Sequence, residues 1–201
     1  MRRTVFALLG ACALAGCAAQ PAATLPDVPP DPDRLRHWTA SGRIAVAAGD
    51  EGGSGSFVWD QRETSTRLGL RGPLGAGAIE VISTPGHLSV SDGSGRAWDA
   101  EAAQAELRAR LGADLPWPSL RYWMLGLPSP DEPAAVRDNA AAPRRVIEQA
   151  GWAIGYDSYT NAAGWTLPQR FVATRGGVRV KVIVDDWDLV PWPGSPGDGA
   201  P

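Results

Sequence analysis

Apolar and polar positions alternate with period two along most of the middle of the chain, the pattern of half-buried β-strands. In "GRIAVAA", residues 42–48, Ile44, Val46 and Ala48 share one face. In "GSFVWDQ", Gly55, Phe57 and Trp59 point one way, and Ser56, Val58 and Asp60 the other. Leu68 and Leu70 oppose Arg67, Gly69 and Arg71, and Ile79 and Val81 flank Glu80. Leu88 and Val90 share a face after the turn signal Thr84-Pro85-Gly86. Trp152, Ile154 and Tyr156 form another stripe, and "LPQRFVATRG" reads as a further strand. The clearest strand sets Val178, Val180, Val182 and Val184 against Arg179 and Lys181, after a hairpin turn at Gly176-Gly177.

Between the two strand groups the apolar spacing changes to that of a helix. Residues 99–112, "DAEAAQAELRARLG", have Asp99 as N-cap, Gly112 as stop, and Ala103, Leu107 and Leu111 at spacing four. Ser119 is expected to cap a short helix through Leu125, ended by Gly126 and Pro128. Leu120, Trp123, Met124 and Leu127 make that segment unusually apolar. A weaker helical signal covers Asp31 to Trp38. Roughly ten or eleven antiparallel strands are too many for a flat open sheet. The pattern therefore predicts a mainly β fold with helices (α+β), a curved sheet or part-barrel with the helices against its apolar concave face.

The aromatic content sharpens this picture. Nine of the fifteen aromatic residues are tryptophan, and Trp59, Trp123 and Trp152 fall on inward faces. Either they fill a core, or they line an interior that stays partly open as an apolar ligand cavity. The hairpin tip "RGPLGAGA", residues 71–78, carries a large apolar side chain, Leu74, among turn residues. Folding back onto the sheet would gain Leu74 about 1.5–3 kcal/mol. Pro73 and Gly75 on either side restrict that escape, so the tip is expected to project.

The ends of the chain place the domain. Arg2 and Arg3, the apolar run Val5–Ala15 and then Leu14-Ala15-Gly16-Cys17 form a signal-peptide pattern too short to span a bilayer. The last four residues resemble a bacterial lipobox, which implies cleavage before Cys17 and acylation of its thiol and new amino group. The expected divisions are a signal peptide at 1–16, a lipidated N-terminus and Pro-rich tether at 17–33, the folded domain at 34–190 and a disordered tail at 191–201. Cys12 leaves with the signal and Cys17 is acylated, so no disulfide forms. Loss of Arg2 and Arg3 takes the formal net charge from −3 to −5. A mildly acidic chain with scattered arginines argues against a nucleic-acid partner.

Catalytic chemistry finds no constellation. His37 and His87 are far apart, no thiol remains, and there is no nucleophile elbow, zinc-binding His-Glu-x-x-His or phosphate-binding loop. Asp185 and Asp186 are adjacent on a strand and face opposite ways. No catalytic residue, metal or cofactor is expected.

"W..SGRIAV", "GSFVWDQ", "LGLRGPLGAGAIEV", "SLRYWMLGLP", "QAGWAIGYDSY", "LPQRF" and "RVKVIVDDW" follow the lipobox in that order. Together, from about Trp38 to Trp187, they resemble the LolB family of outer-membrane lipoprotein receptors. The resemblance implies an incomplete antiparallel β-barrel of about 11 strands with a lid of short α-helices over an apolar cavity. It implies a monomer, lipid-anchored in the outer membrane and facing the periplasm. Such a protein accepts acylated lipoproteins from the periplasmic carrier LolA and inserts them into the inner leaflet of the outer membrane, without catalysis. A protruding loop leucine maps onto Leu74, with Pro73 and Gly75 beside it, as the membrane-insertion loop. Alternation then nominates Phe57, Trp59, Leu68, Leu70, Ile79, Val81, Trp123, Trp152, Ile154, Val180 and Val182 as the acyl-chain cavity. Arg43, Arg67 and Arg71 are candidates to meet the carrier. The alternatives are a lipoprotein carrying a small apolar ligand and a purely structural lipoprotein.

Overall fold

The computed structural model describes residues 31, 34–72, 77–99, 101, 102, 105, 108 and 116–189. The lipobox with Cys17, most of the tether, the tip residues Pro73, Leu74 and Gly75, and the tail from residue 190 lie outside them.

Eleven strands make one antiparallel sheet: β1 (His37–Ala48), β2 (Glu51–Arg62), β3 (Ser65–Arg71), β4 (Ile79–Thr84), β5 (His87–Asp92), β6 (Ala97–Asp99), β7 (Ala134–Asp138), β8 (Arg145–Gln149), β9 (Trp152–Ala162), β10 (Trp165–Arg175) and β11 (Val178–Leu189). The order across the sheet is β6-β5-β4-β3-β2-β1-β11-β10-β9-β8-β7. The chain thus meanders outward from β1 to one edge, crosses to the other edge, and meanders back until β11 pairs with β1. The crossing segment between the edge strands β6 and β7 holds the short helix α1 (Trp117–Met124). Glu101, Ala102, Ala105 and Arg108, within the expected 99–112 helix, are also helical.

Alternation builds the inner face. Trp59, Leu68, Val81 and Val90 are cross-strand neighbours in successive strands, and all are buried. On the other flank Ile44, Val182, Phe171 and Tyr156 form a second such row, and Val46, Val180, Ala173, Ile154 and Ile147 a third. Where the two flanks join, the register shifts at Ser41 and Gly42, and Asp185 of β11 is the extra residue. A Cβ on Gly42 would lie 2.1 Å from the Ile183 carbonyl oxygen, so this close approach admits only glycine.

The meander fixes which loops share an end. The turns at 49–50, 93–96, 150–151 and 176–177 lie at one end with both stems of the 72–77 loop. The entry to β1, the turn at 63–64 and the exit of β11 lie at the opposite end.

Two local expectations are corrected. The signal over Asp31–Trp38 does not make a helix: β1 begins at His37, and Trp38 and Ala40 alternate inward on it, 1% and 0% exposed. Ser119 does not cap α1. The helix starts at Trp117 after Pro116, has no side-chain cap, and holds Ser119 buried in its first turn. The two prolines at 116 and 118 suit that start, where an N–H has no partner to lose. Its other end has the expected stop: Gly126 takes φ +77°, its N–H donates to the Trp123 carbonyl, and Leu127 N–H donates to the Tyr122 carbonyl. That is a Schellman closure.

Candidate functional site

An apolar hollow lies between α1 and the inner face of the sheet. Its walls are Ile44 and Val46 of β1, Phe57 and Trp59 of β2, Leu68 and Leu70 of β3, Trp152 of β9, Phe171 and Ala173 of β10, and Val178, Val180 and Val182 of β11. Its roof is Trp117, Leu120, Trp123 and Met124 of α1. The roof spacing of three and four puts these four side chains on one helical face. The lining is apolar throughout and the volume is about 100 Å³. The row of Val46 and Val180 lies toward the end of the sheet that carries the 72–77 loop.

The floor is an aromatic plug. Trp38 stacks on Trp59 with centroids 5.9 Å apart, and Trp187 tilts against Trp38 at 5.3 Å. Their polar atoms are placed: Trp59 Nε1–H donates to Gln61 Oε1 at 3.1 Å, and Trp187 Nε1–H to the Pro168 carbonyl at 3.0 Å. The tryptophans therefore serve both as filling and as wall, and the interior is closer to full than the sequence suggested.

Buried polar contacts hold α1 to β8 and β9. Trp123 Nε1–H donates to Gln149 Oε1, and the Tyr156 hydroxyl donates to the Trp123 carbonyl at 2.7 Å. Burial pushes the Tyr156 phenol well above its ordinary range, aided by the neighbouring Tyr159. Burial likewise raises Tyr159, to about 12, although its hydroxyl has no partner among the described residues. On its other side α1 has an exposed tie, Arg121 Nη1–H to the Glu63 carbonyl at 3.2 Å. Nearby, a hydrogen bond from Arg145 at 2.7 Å draws the Asp138 carboxyl below its usual range.

Eight of the eleven nominated cavity residues meet in the hollow: Phe57, Trp59, Leu68, Leu70, Trp123, Trp152, Val180 and Val182. Ile79, Val81 and Ile154 do not touch it. Val81 and Ile154 are fully buried in neighbouring inner rows, and Ile79 is half-buried beside Leu70. The selection passed over eight lining residues. Alternation places Ile44, Val46 and Val178 inward and would have found them. Trp117, Leu120 and Met124 needed the helix start at Trp117. Phe171 and Ala173 were hidden because β10 shifts register between Pro168 and Phe171.

Comparison with known proteins decides the affiliation. The profile of the family described as "Outer membrane lipoprotein LolB" matches residues 36–187. The chain belongs to the LolB family. The outer-membrane lipoprotein LolB of Halorhodospira halophila is 34% identical over 198 residues, covering 92% of this chain and 94% of that protein. That of Alkalilimnicola ehrlichii is also 34% identical, covering 94% and 98%. Among solved structures, a LolA superfamily protein from Nitrosomonas europaea shares the fold with a TM-score of 0.52 at 11% identity, over 79% of this chain and 88% of that one. As a member of this family, the protein is a lipid-anchored outer-membrane receptor of lipoprotein localisation and not an enzyme. No helix among the described residues is long and apolar enough to cross a membrane.

Proposed function

We propose that this protein takes the acyl chains of lipoproteins from a LolA-like periplasmic carrier into the hollow beneath α1. It then releases them into the inner leaflet of the outer membrane through the loop that carries Leu74. The observation that carries this reading is an apolar hollow beneath α1 that extends toward the end of the sheet from which that loop departs. Exposing an acyl chain to water costs about 0.8 kcal/mol per CH₂. Handover must therefore pass from one apolar enclosure to another, and downhill only if the bilayer holds the chain most tightly. Branched aliphatics and tryptophans grip by contact area rather than fixed geometry, which suits clients that share only their lipid.

In this reading Cys17 anchors the chain, Pro73, Leu74 and Gly75 form the inserting tip, and the eleven nominated residues line or back the cavity. The receptor acts as a monomer on outer-membrane lipid, facing the periplasm. The entry to β1 and the 72–77 loop lie at opposite ends of the sheet. The nineteen residue steps from Cys17 to Arg36 reach up to about 60 Å, enough to let the tip turn toward the membrane that holds the anchor.

The test is transfer of an acylated lipoprotein from purified carrier to liposomes. Leu74→Glu is expected to keep the fold and accept the client but fail to release it. Wild-type delivery by that variant would overturn the role of the tip. Uptake of an apolar dye without client transfer would favour a small-ligand carrier instead. Neither uptake nor transfer would favour a structural lipoprotein.

A further inference from the structure

The outer face of the sheet divides by charge. Toward the end opposite the 72–77 loop its arginines are neutralised: Arg67 by Glu80 at 3.0 Å, Arg62 by Asp60 at 3.2 Å and Arg36 by Glu63 at 3.4 Å. Toward the loop end the balance is basic. Arg71, Ser56, Arg43, Ile183 and Arg170 are cross-strand neighbours in successive strands β3, β2, β1, β11 and β10. Lys181 lies two residues nearer the loop end on β11, beside Ala45 and then Ser54. Arg71, Arg170 and Lys181 are exposed, with no ion-pair partner among the described residues. The acids nearby are Glu80, which faces Gly69 beside Arg71 and is paired with Arg67, Asp185, held by both its oxygens on Arg43 at 2.8 and 3.0 Å, Asp50 in the first turn and Glu51 at the start of β2.

The relief between these cations is low. Ser54, Ser56 and Ala45 are short. Arg43, Arg71, Lys181, Gly55 and Gly72 border one open groove, and Gly72 is the stem of the loop.

We propose that this groove is a docking surface for the phosphate headgroups of anionic membrane lipid. Arg71 and Lys181 are its free cations, and it seats the barrel on the bilayer as the adjoining tip enters. The inference rests on the reading that the 72–77 loop meets the membrane, and adds the headgroup contact to it. Continuity with the loop stem favours lipid over a carrier as occupant. So does the spread of cations over a smooth sheet, which suits a plane of phosphates. Each cation near an anionic bilayer surface contributes independently of any fixed partner, and salt screens it.

The test uses the mature chain with Cys17→Ala, so that binding is reversible. It compares vesicles of phosphatidylcholine alone with vesicles in which phosphatidylglycerol is mixed. Arg71→Gln with Lys181→Gln is expected to lose roughly thirtyfold in partitioning to the mixed vesicles at low salt, and little on neutral ones. Partitioning equal to the parent chain would overturn the proposal. So would unchanged vesicle binding with slowed client uptake from the carrier in membrane-free solution, which would assign the groove to the carrier. Leu74→Glu tests the underlying reading separately, since it should weaken binding to both vesicle types. If it does not, the tip reading fails while the charge dependence of the double variant still stands or falls alone.

Discussion

The indole N–H of Trp123, in the roof helix, donates to Gln149 Oε1 on β8 at 2.9 Å. Gln149 is buried and uses its whole amide. The same oxygen accepts from Ser129 N–H, and Nε2 donates to the carbonyls of Ser129 and Glu132. One side chain thus fixes the helix, the strand and the segment that leaves the helix. Gln149→Leu keeps the volume but strands these buried partners, and should cost about 3 kcal/mol. Urea unfolding checks this. A loss below about 1 kcal/mol would mean that water replaces the amide and that Gln149 is not the pin.

Gly42 and Gly53 give a contrast within one pair of strands. A Cβ on Gly42 meets the Ile183 carbonyl oxygen, the Val184 Cα at 3.0 Å and the Phe57 ring at 3.0 Å, whereas nothing lies within 4 Å of one on Gly53. Gly42→Ala should therefore open the β1–β11 junction and destabilise by more than about 2 kcal/mol. Gly53→Ala should be neutral or stabilise by up to about 1 kcal/mol, through the unfolded chain. Thermal unfolding of the pair decides it, and equal effects would refute the close approach.

The legibility of the chain followed the strength of its periodicity. Phe57, Trp59, Leu68, Leu70, Val180 and Val182 sit in unbroken alternation, and all line the hollow. Trp38 and Ala40 continue the even-numbered inward face of Gly42 and Ile44, but the helical signal over Asp31–Trp38 competed with it, whereas on β11 the bulge at Asp185 moves the inward face from Val184 to Trp187. The edge strand β7 is exposed at all five positions, so no alternation exists to be seen. β8 sets Val146 beside Ile147, and only Ile147 is fully buried. How far the interior is filled depends on how Trp38, Trp59 and Trp187 stack, and spacing along a chain carries no record of that.

Tyr156 and Tyr159 are neighbours with opposite satisfaction. The Tyr156 hydroxyl donates to the Trp123 carbonyl, whereas that of Tyr159 is buried without a partner among the described residues. Tyr156→Phe should cost about 1–2 kcal/mol, and Tyr159→Phe should be neutral or slightly stabilising. The pH dependence follows from the raised phenol of Tyr159, at about 12. The folded state keeps the proton longer than the unfolded chain does. Its contribution is thus intact below the ordinary tyrosine range near 10, and is lost as pH rises through 12. Urea midpoints from neutral to strongly alkaline pH should fall less steeply in Tyr159→Phe than in the parent. Parallel curves would show that Tyr159 ionises as freely folded as unfolded.

The hollow beneath α1 is too small for the cargo in this state. Its volume is about 100 Å³, and a void of about 150 Å³ holds a single benzene. On the proposed reading, in which the hollow takes the acyl chain, α1 must lift to admit it. The ties are unequal: buried hydrogen bonds hold α1 to Gln149 and Tyr156, whereas among the described residues an exposed arginine makes the hydrogen bond to the β2–β3 turn. The start of the helix has neither a side-chain cap nor an acidic residue in its first turn. Lifting should thus pivot on the β8–β9 side and begin with loss of the Arg121 contact. Arg121→Met is expected to change global stability by less than about 1 kcal/mol, yet to speed amide exchange in α1 and uptake of an apolar dye or acylated client severalfold. Stopped-flow uptake and hydrogen exchange on the same sample read both. If α1 amides exchange only through global unfolding, and uptake matches the parent chain, the helix is a fixed roof and clients must enter by another route.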